Sequence, residues 1–156
     1  MYGINLHPLV PMRASDSERS EMVSQLLYGE MLIVIEVRDR WLLVQNFTDK
    51  YLGWVDRKMI QLMSDKDFEI FASSQFDILY YPINHCILEV SGESVYLPAG
   101  SRLYHFGENN KPGFFPKITY DPIYNIVINN ISGEKIIDLS KLFLNAPYLW
   151  GGKSVL

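Results

Sequence analysis

The sequence predicts a mainly β fold. Short segments rich in β-branched and aromatic residues recur along the 156 residues, and polar turns such as Arg38-Asp39-Arg40 and Thr48-Asp49-Lys50 separate them. Hydrophobic residues make up 48% of the chain and charged residues 21%, which is too apolar a composition for a disordered protein. The length allows one ordinary domain or two small ones, each with a modest core.

The first 63 residues predict a small unit of antiparallel strands. Strands are expected near 31–37, 41–47, 51–55 and 59–62, where apolar residues cluster between the polar turns. The short turns favour a meander in which consecutive strands pair with each other.

A linking helix and a second β unit are predicted after this point. Ser64 is a suitable N-cap, and Phe68, Phe71 and Ala72 recur at helical spacing, so a helix is expected within 64–77. The second unit covers 78–138, with strands expected at 78–81, 86–90, 94–97, 102–106, 117–120, 124–129 and 135–138. A last short helix is expected over 141–145, because residues 138–140 can cap it and Pro147 would end it.

Composition also excludes several classes of protein. The net charge of -4, a pI near 5.3 and the absence of a Lys/Arg-rich run argue against a nucleic-acid partner. The longest apolar runs, 31–35 and 41–44, are far shorter than a membrane span. The single cysteine excludes an internal disulfide, and the first twenty residues lack a signal-peptide pattern. The cellular compartment stays open.

The cysteine and histidines offer no catalytic or metal-binding group on their own. Cys86 follows His85, but neighbouring residues of a strand point to opposite faces and cannot form a hydrogen-bonded pair. Cys86 is therefore expected to be a small buried hydrophobic residue. His7 and His105 have no carboxylate or second histidine at ligand spacing, so neither a metal nor a cofactor is expected.

Four segments of the first unit resemble a bacterial SH3-like domain. They are Val10-Pro11-Met12-Arg13, the stretch from Ser20 to Glu30, Trp41-Leu42-Leu43-Val44 and Tyr51-Leu52-Gly53-Trp54-Val55. In such domains a turn of the apolar-Gly-Glu type and a Gly-Trp-Val strand recur. Gly53 suits a close backbone approach, and Trp54 suits a core plug or the wall of a groove.

The end of the chain resembles the start of an enzyme domain. Residues 143–154, which include Ala146-Pro147-Tyr148-Leu149-Trp150-Gly151-Gly152, look like the lead-in of the NlpC-type cysteine endopeptidases of bacterial cell-wall peptides. In that family, which includes γ-D-glutamyl-L-diamino acid endopeptidases of the dipeptidyl-peptidase VI type, two SH3-like domains commonly precede a papain-like α+β catalytic domain.

The resemblance implies a layout and an activity. Residues 1–63 and 78–138 would be two small SH3-like β-barrels joined by the short helix, and 139–156 would lead into a catalytic domain that the chain lacks. The parent enzyme would be a hydrolase with a thiolate nucleophile and a histidine base. Neither can be identified in this chain, which is expected to be inactive alone.

The resemblance also implies candidate substrate-binding residues. In the family, an acidic side chain and an aromatic hydroxyl of the first domain hold the free amine of a leading L-alanine. Asp16 and Tyr51 are the candidates here, with Glu18 as a rival acid and Trp54 as a wall. Relatives often carry a Glu-Pro pair where this chain has Ser15-Asp16. The alternative is that residues 16–18 form a solvated turn.

Tyr148 is a further candidate from the same resemblance. Relatives place the corresponding tyrosine in the active-site cleft, where its hydroxyl can contact substrate. The alternative is a packing role, which is the interpretation favoured for Trp150.

Two functions follow from these patterns. The first is the non-catalytic N-terminal half of a murein-peptide cysteine hydrolase, which limits the substrate cleft and selects L-Ala-γ-D-Glu-diamino acid peptides with a free N-terminus. The alternative is a self-standing SH3-like module that binds cell-wall peptide or a protein partner. The apolar tail from Phe143 to Trp150 would be exposed without a domain to cover it, which predicts self-association. The compartment stays open between the bacterial cell envelope and the cytoplasm.

Overall fold

The computed structural model describes residues 1–107, 111–120 and 132–156, and it confirms the mainly β class. The two α-helices are α1 (Asp65–Ser73) and α2 (Gly133–Lys141), and a 3-10 turn covers Arg57–Met59. The strands are β1 (Tyr2–Asn5), β2 (Leu9–Arg13), β3 (Met22–Leu27), β4 (Met31–Arg38), β5 (Trp41–Asn46), β6 (Leu52–Asp56), β7 (Ile60–Met63), β8 (Gln75–Ile78), β9 (Ile83–Leu88), β10 (Ser94–Pro98), β11 (Arg102–His105) and β12 (Ile118–Tyr120).

The first seven strands form one antiparallel sheet. Its order is β3-β2-β6-β5-β4-β1-β7, so β1 inserts between β4 and β7, and β2 pairs with β6 only near Arg13 and Trp54. One face of this sheet buries a core of aliphatic side chains. They are Val10, Met12, Leu26, Leu32, Val34, Leu42, Val44, Val55 and Ile60.

Buried polar groups fix the connection between β1 and β3. Asn5 is fully buried, and its amide nitrogen donates to the carbonyl oxygens of His7 at 2.9 Å and Leu26 at 3.1 Å. The Glu30 carboxylate accepts the Leu27 N–H at 2.9 Å. These bonds satisfy backbone groups that burial would otherwise leave unpaired. They hold the tight turn at Gly29 beside β1, and the Arg102 N–H donates to the Tyr28 carbonyl oxygen at 2.9 Å to join this turn to the second unit.

Helix α1 begins with a capping box, as its sequence predicts. The Ser64 hydroxyl accepts the Asp67 N–H at 3.1 Å, and the Asp67 carboxylate accepts the Ser64 N–H at 3.3 Å. The helix buries Phe71, whose ring meets Tyr104, Phe106 and Phe115 at centroid distances of 4.8, 5.1 and 5.2 Å. The linking helix is therefore packed into the second unit's aromatic core.

The second unit contains two small sheets among the described residues. One has the order β10-β9-β12 and the other pairs β11 with β8. Their core is continuous with the first sheet, because the same cluster includes Ile4, Tyr28, Met31 and Met63. The division of the chain at residues 63, 77 and 138, and an SH3-like fold for 78–138, stay predictions.

Two sequence predictions near the C-terminus are wrong. Residues 135–138, expected as a strand, lie inside α2, and the helix expected over 141–145 instead ends at Lys141. The Ser132 hydroxyl accepts the Lys135 N–H and starts the helix earlier. Ile136 and Ile137 are more than half exposed there, so no burial selects an extended conformation for them. The strand predicted over 124–129 lies outside the described residues.

Candidate functional site

Trp54 lies on the face of β5 and β6 that is opposite the aliphatic core. Its neighbours Gly53 and Val55 face the core, and the register places Trp54 beside Leu43 of β5 and Arg13 of β2. Directly paired residues share a face of a sheet, so these three side chains form one row on the outer face. Trp54 is buried at this position, with 8% of its surface exposed, and the two roles predicted for it stay predictions.

The loop between β2 and β3 covers this outer face through an ion pair. Asp16 Oδ2 lies 3.2 Å from Arg38 Nη1, and the Arg38 guanidinium stacks over the Trp54 ring at 4.6 Å. Hydrogen bonds to Glu36 and then Asp16 raise the pKa of Arg38. The predicted residues Asp16 and Trp54 are thus brought together by an arginine that sequence reasoning did not single out.

Glu18, the rival acid, is held beside the same face. It pairs with Arg40 and lies 3.4 Å from Arg13, and Arg40 also stacks over Trp41 at 5.2 Å. Asp56 lies 3.4 Å from Arg40. Three guanidinium groups and four carboxylates therefore meet over two tryptophans. We call Arg13, Asp16, Glu18, Glu36, Arg38, Arg40, Trp41, Trp54 and Asp56 the outer-face cluster.

Tyr51 stands outside this cluster, at the turn between β5 and β6. Its side chain is 46% exposed, and its N–H donates to Asp49 Oδ1 at 2.9 Å. In the part of the chain that the structure describes, no hydrogen bond joins the Tyr51 hydroxyl to Asp16 or Glu18. The geometry holds the backbone of Tyr51 in place and leaves its hydroxyl accessible to a ligand.

The C-terminal segment docks on the first sheet beside this turn. Lys153 Nζ lies 2.9 Å from Asp49 Oδ2, and the Lys153 N–H donates to Gln25 Oε1 at 2.8 Å. Gly151 has φ +71, and a Cβ there would lie 2.7 Å from the Met22 carbonyl oxygen. Only glycine fits this left-handed close approach without strain. Sequence reasoning did not identify the contact of Lys153 with Asp49.

Tyr148 and its neighbours are exposed just before this docked segment. Tyr148 is 84% exposed, Leu149 52% and Trp150 62%, so none is buried against the described residues. Within the same described ranges, no hydrogen bond joins the Tyr148 hydroxyl to Asp16 or Tyr51. The contacts of residue 153 with the first sheet nevertheless attach the segment that carries Tyr148 to the domain that contains Asp16 and Tyr51.

Cys86 is a buried hydrophobic residue, as predicted. Its side chain is fully buried, and burial raises the pKa of the thiol to about 11. His85 faces the other way and shares a 2.9 Å hydrogen bond with the Ser94 hydroxyl. A buried thiol with a raised pKa is a poor source of thiolate at neutral pH.

The histidines and acids form no metal site in the described ranges. No group of three or more His, Cys, Asp or Glu side chains that could hold a metal ion occurs there. One contact was not expected: His105 Nε2 lies 2.9 Å from Asp77 Oδ2, which comes from the neighbouring strand. Within these ranges no helix is long and apolar enough to cross a membrane.

Comparisons with known proteins agree with this architecture. Residues 12–60 match the family described as bacterial dipeptidyl-peptidase Sh3 domain. The fold is similar to the crystal structure of an NlpC/P60 family protein from Bacillus cereus ATCC 10987, with a TM-score of 0.81 and 15% sequence identity. The match covers 99% of this chain and 67% of that chain. A search of curated protein sequences finds no significant match.

These findings confirm the predicted resemblance. Residues 12–60 match the model of a bacterial SH3 domain, and the chain shares its fold with a large part of an NlpC/P60 family protein. The matched range begins inside β2 and ends at the first residue of β7, so it contains Asp16, Glu18, Tyr51 and Trp54.

Proposed function

We propose that the first SH3-like domain forms one wall of the substrate cleft in a cell-wall peptide hydrolase and selects murein peptides with a free N-terminal L-alanine. The proposal assigns binding to this chain and no thiolate chemistry, because its one thiol, Cys86, is buried in the core. One observation carries the proposal: the segment after Tyr148-Leu149-Trp150 is anchored at Asp49, in the turn that also carries Tyr51. This contact ties the segment that carries Tyr148 to the turn that carries Tyr51, which supports a shared surface for the two candidates.

The outer-face cluster has the chemistry that an ammonium group requires. Arg38 already shows that a cation is held here between the Asp16 carboxylate and the Trp54 ring. A bound ammonium needs a paired carboxylate, and an aromatic face adds to the attraction. The amine of L-alanine would take the position of the guanidinium, while Arg38 keeps its partner Glu36.

Asp16 is the preferred acid in this proposal. It contacts one arginine through Oδ2, whereas Glu18 lies near both Arg13 and Arg40. An incoming ammonium displaces one ion pair at Asp16 but competes with two at Glu18. Exposed ion pairs contribute little stability, so exchange of Arg38 for a ligand cation has a small cost. The accessible Tyr51 hydroxyl is proposed as the second group that contacts the peptide.

The test measures the binding of L-Ala-γ-D-Glu-diaminopimelate to the chain by NMR titration and calorimetry. The same peptide with an acetylated amine is measured for comparison. We expect the free-amine peptide to bind, and acetylation or Asp16→Asn to weaken binding about tenfold, as loss of a charge-assisted hydrogen bond predicts. Asp39→Asn is the matched control, an exposed acid in the β4–β5 turn with φ 50. Equal affinity for both peptides would refute amine selection.

Self-association is a second part of this proposal. Tyr148, Leu149 and Trp150 form an exposed apolar run of the kind that monomeric proteins rarely leave uncovered. Light scattering over a concentration series is expected to show a rising mass for the chain and a lower mass for Trp150→Ser. A constant monomer mass at high concentration would contradict it.

A further inference from the structure

A cavity in the second β unit lies apart from the outer-face cluster. It has a volume of about 260 Å³. Its lining comes from β11, from Phe106 directly after β11, and from the segment between Lys111 and Tyr120. Pockets for drug-sized ligands measure roughly 300 to 1,000 Å³, so this cavity suits a ligand of about one ring. None of the residues proposed to bind the peptide lines this cavity.

The floor of the cavity is aromatic and rigid. Tyr104 and Phe115 are buried and meet edge to face at 6.0 Å, and Phe106 meets Phe115 at 5.3 Å. The Tyr104 hydroxyl donates to the Gly29 carbonyl oxygen at 3.1 Å, which locks the ring. A preformed aromatic floor favours a ligand with a flat apolar face.

The lining of the cavity carries two chemically different groups of side chains. In the first group, His105 and Tyr120 meet at Asp77, whose Oδ2 accepts the Tyr120 hydroxyl at 2.6 Å and lies 2.9 Å from His105 Nε2. The second group is Lys111 and Lys117, and Lys117 Nζ lies 2.6 Å from Glu89 Oε2. The first group can exchange hydrogen bonds with hydroxyl groups, and the two lysines can attract an anion.

We propose that this cavity binds an acidic monosaccharide unit, with its ring packed against the aromatic lining of Tyr104, Phe106 and Phe115 and its carboxylate toward Lys111 and Lys117. A pyranose ring has the required size and an apolar C–H face, and its hydroxyls match the groups around Asp77. A neutral sugar offers the two lysines no anionic group, and an aromatic acid without hydroxyls leaves the groups around Asp77 unused. This site does not rest on the proposed amine selection.

The experiment is an NMR titration of the isotope-labelled chain with D-glucuronate and with D-glucose, which share a ring and differ at one carboxylate. We expect glucuronate to shift resonances of β11 and 116–120, to leave those of Asp16 and Trp54 unchanged, and to bind about fivefold or more tightly than glucose, as one exposed charge contact predicts. Equal binding of the two sugars, or no shift with glucuronate, would overturn the proposal.

Two variants with opposite expected effects separate binding from structure. Lys117→Gln removes a cation and leaves Glu89 to repel the ligand, so glucuronate affinity should fall about fivefold. Glu89→Gln releases Lys117 for the ligand, and affinity should rise. Lys141→Gln, whose ion pair with Asp138 at 3.0 Å lies on α2, is the control and should change nothing. A fall in both Lys117→Gln and Glu89→Gln would indicate a structural role alone.

A further titration tests whether the ring of the ligand is a sugar or an aromatic ring. 4-Hydroxybenzoate carries a carboxylate and an aromatic face but only one hydroxyl. We expect it to bind more weakly than glucuronate, because it cannot use the groups around Asp77 fully. Tighter binding of 4-hydroxybenzoate would overturn the assignment to a sugar.

Discussion

Gly29 lies where the first sheet meets Arg102 of the second unit. It has φ +79, and a Cβ would lie 2.9 Å from Arg102 Cβ as well as against the Arg102 carbonyl. We expect Gly29→Ala to lower the free energy of unfolding by about 2 to 4 kcal/mol, from backbone strain and overpacking together. Urea denaturation measures this loss.

Gly92→Ala is the matched control for this change. Gly92 has φ +73, but a Cβ added there would meet no atom within 4 Å, so only the conformational cost of about 1 kcal/mol applies. Equal losses at the two positions would show that contact with Arg102 contributes nothing.

Cys86 offers a test of the pKa. Burial raises the thiol pKa from 9.0 to about 11, so the native protein should react with a disulfide reagent at pH 8 only through unfolding, while the denatured chain reacts at once. The folded pKa exceeds the unfolded one. The contribution of the protonated Cys86 thiol to stability is therefore fully present below about pH 9, near the pKa of the thiol in the unfolded chain. It is lost as the pH rises toward 11.

Labelling with the disulfide reagent, with and without denaturant, checks the first expectation. Denaturation curves from pH 7 to 11, with Cys86→Ala as the control, check the second. The variant should lose this part of the pH dependence. Rapid labelling of the native chain at pH 8 would contradict the buried position.

Some site residues could be predicted from sequence and others could not. Cys86 is buried as predicted, because local alternation along a strand decides which face each side chain takes. Arg38 and Arg40 escaped notice because their partners, Asp16 and Glu18, are each 22 residues away. Only the fold brings such distant residues together, so these two ion pairs carry no sequence signal.

At the scale of the element, α1 depends on its capping box. Ser64→Ala removes the acceptor for the Asp67 N–H, and N-cap serines contribute about 1 kcal/mol. We expect a loss of that size in the free energy of unfolding, measured by denaturation. Ser140→Ala is the control, because Ser140 only donates to the Ile136 carbonyl within α2. A similar loss in both variants would contradict the special role of the cap.

The strands differ in how clearly the sequence predicts them. Those in the 31–62 range follow from apolar segments between polar turns, and the structure has β4 to β7 there. The strands β1, β2 and β3 were not predicted, because Gly3, Pro11 and the polar pair Ser24-Gln25 interrupt their apolar patterns. Ser24 and Gln25 are nevertheless buried, and Gln25 contacts the C-terminal segment.

At the scale of the molecule, the first sheet and the second unit share one hydrophobic cluster. Its members extend from Ile4 to Phe115, and the Tyr104 hydroxyl reaches across to Gly29. A composition change at residue 64 indicates a new segment but gives no information on whether two cores merge. Long-range packing of this kind decides the relative position of the outer-face cluster and the cavity, and sequence patterns do not contain it.

Docking of the C-terminal segment is expected to depend on pH and salt. Burial raises the pKa of Asp49, but hydrogen bonds from Lys153 and the Tyr51 N–H outweigh it, and the net pKa is lowered. The folded pKa is therefore below the unfolded one, so this stabilisation is present above about pH 4 and is lost as the pH falls through the folded value. Added salt screens the same ion pair.

Lys153→Met tests this docking directly. The variant keeps the Lys153 backbone N–H bond to Gln25 but loses the ion pair, so hydrogen exchange at residue 153 should become about two- to fivefold faster, as expected for an exposed pair. Lys141→Met, which removes the pair with Asp138 on α2, is the control and should leave exchange at residue 153 unchanged. Acid and salt should lower the protection factor at residue 153, which compares its exchange rate with the intrinsic rate at the same pH and salt, in the parent chain and have little effect on it in Lys153→Met. Unchanged exchange in Lys153→Met would show that Gly151 and Gln25 hold the segment without Asp49, and would remove the link between Tyr51 and the segment that carries Tyr148.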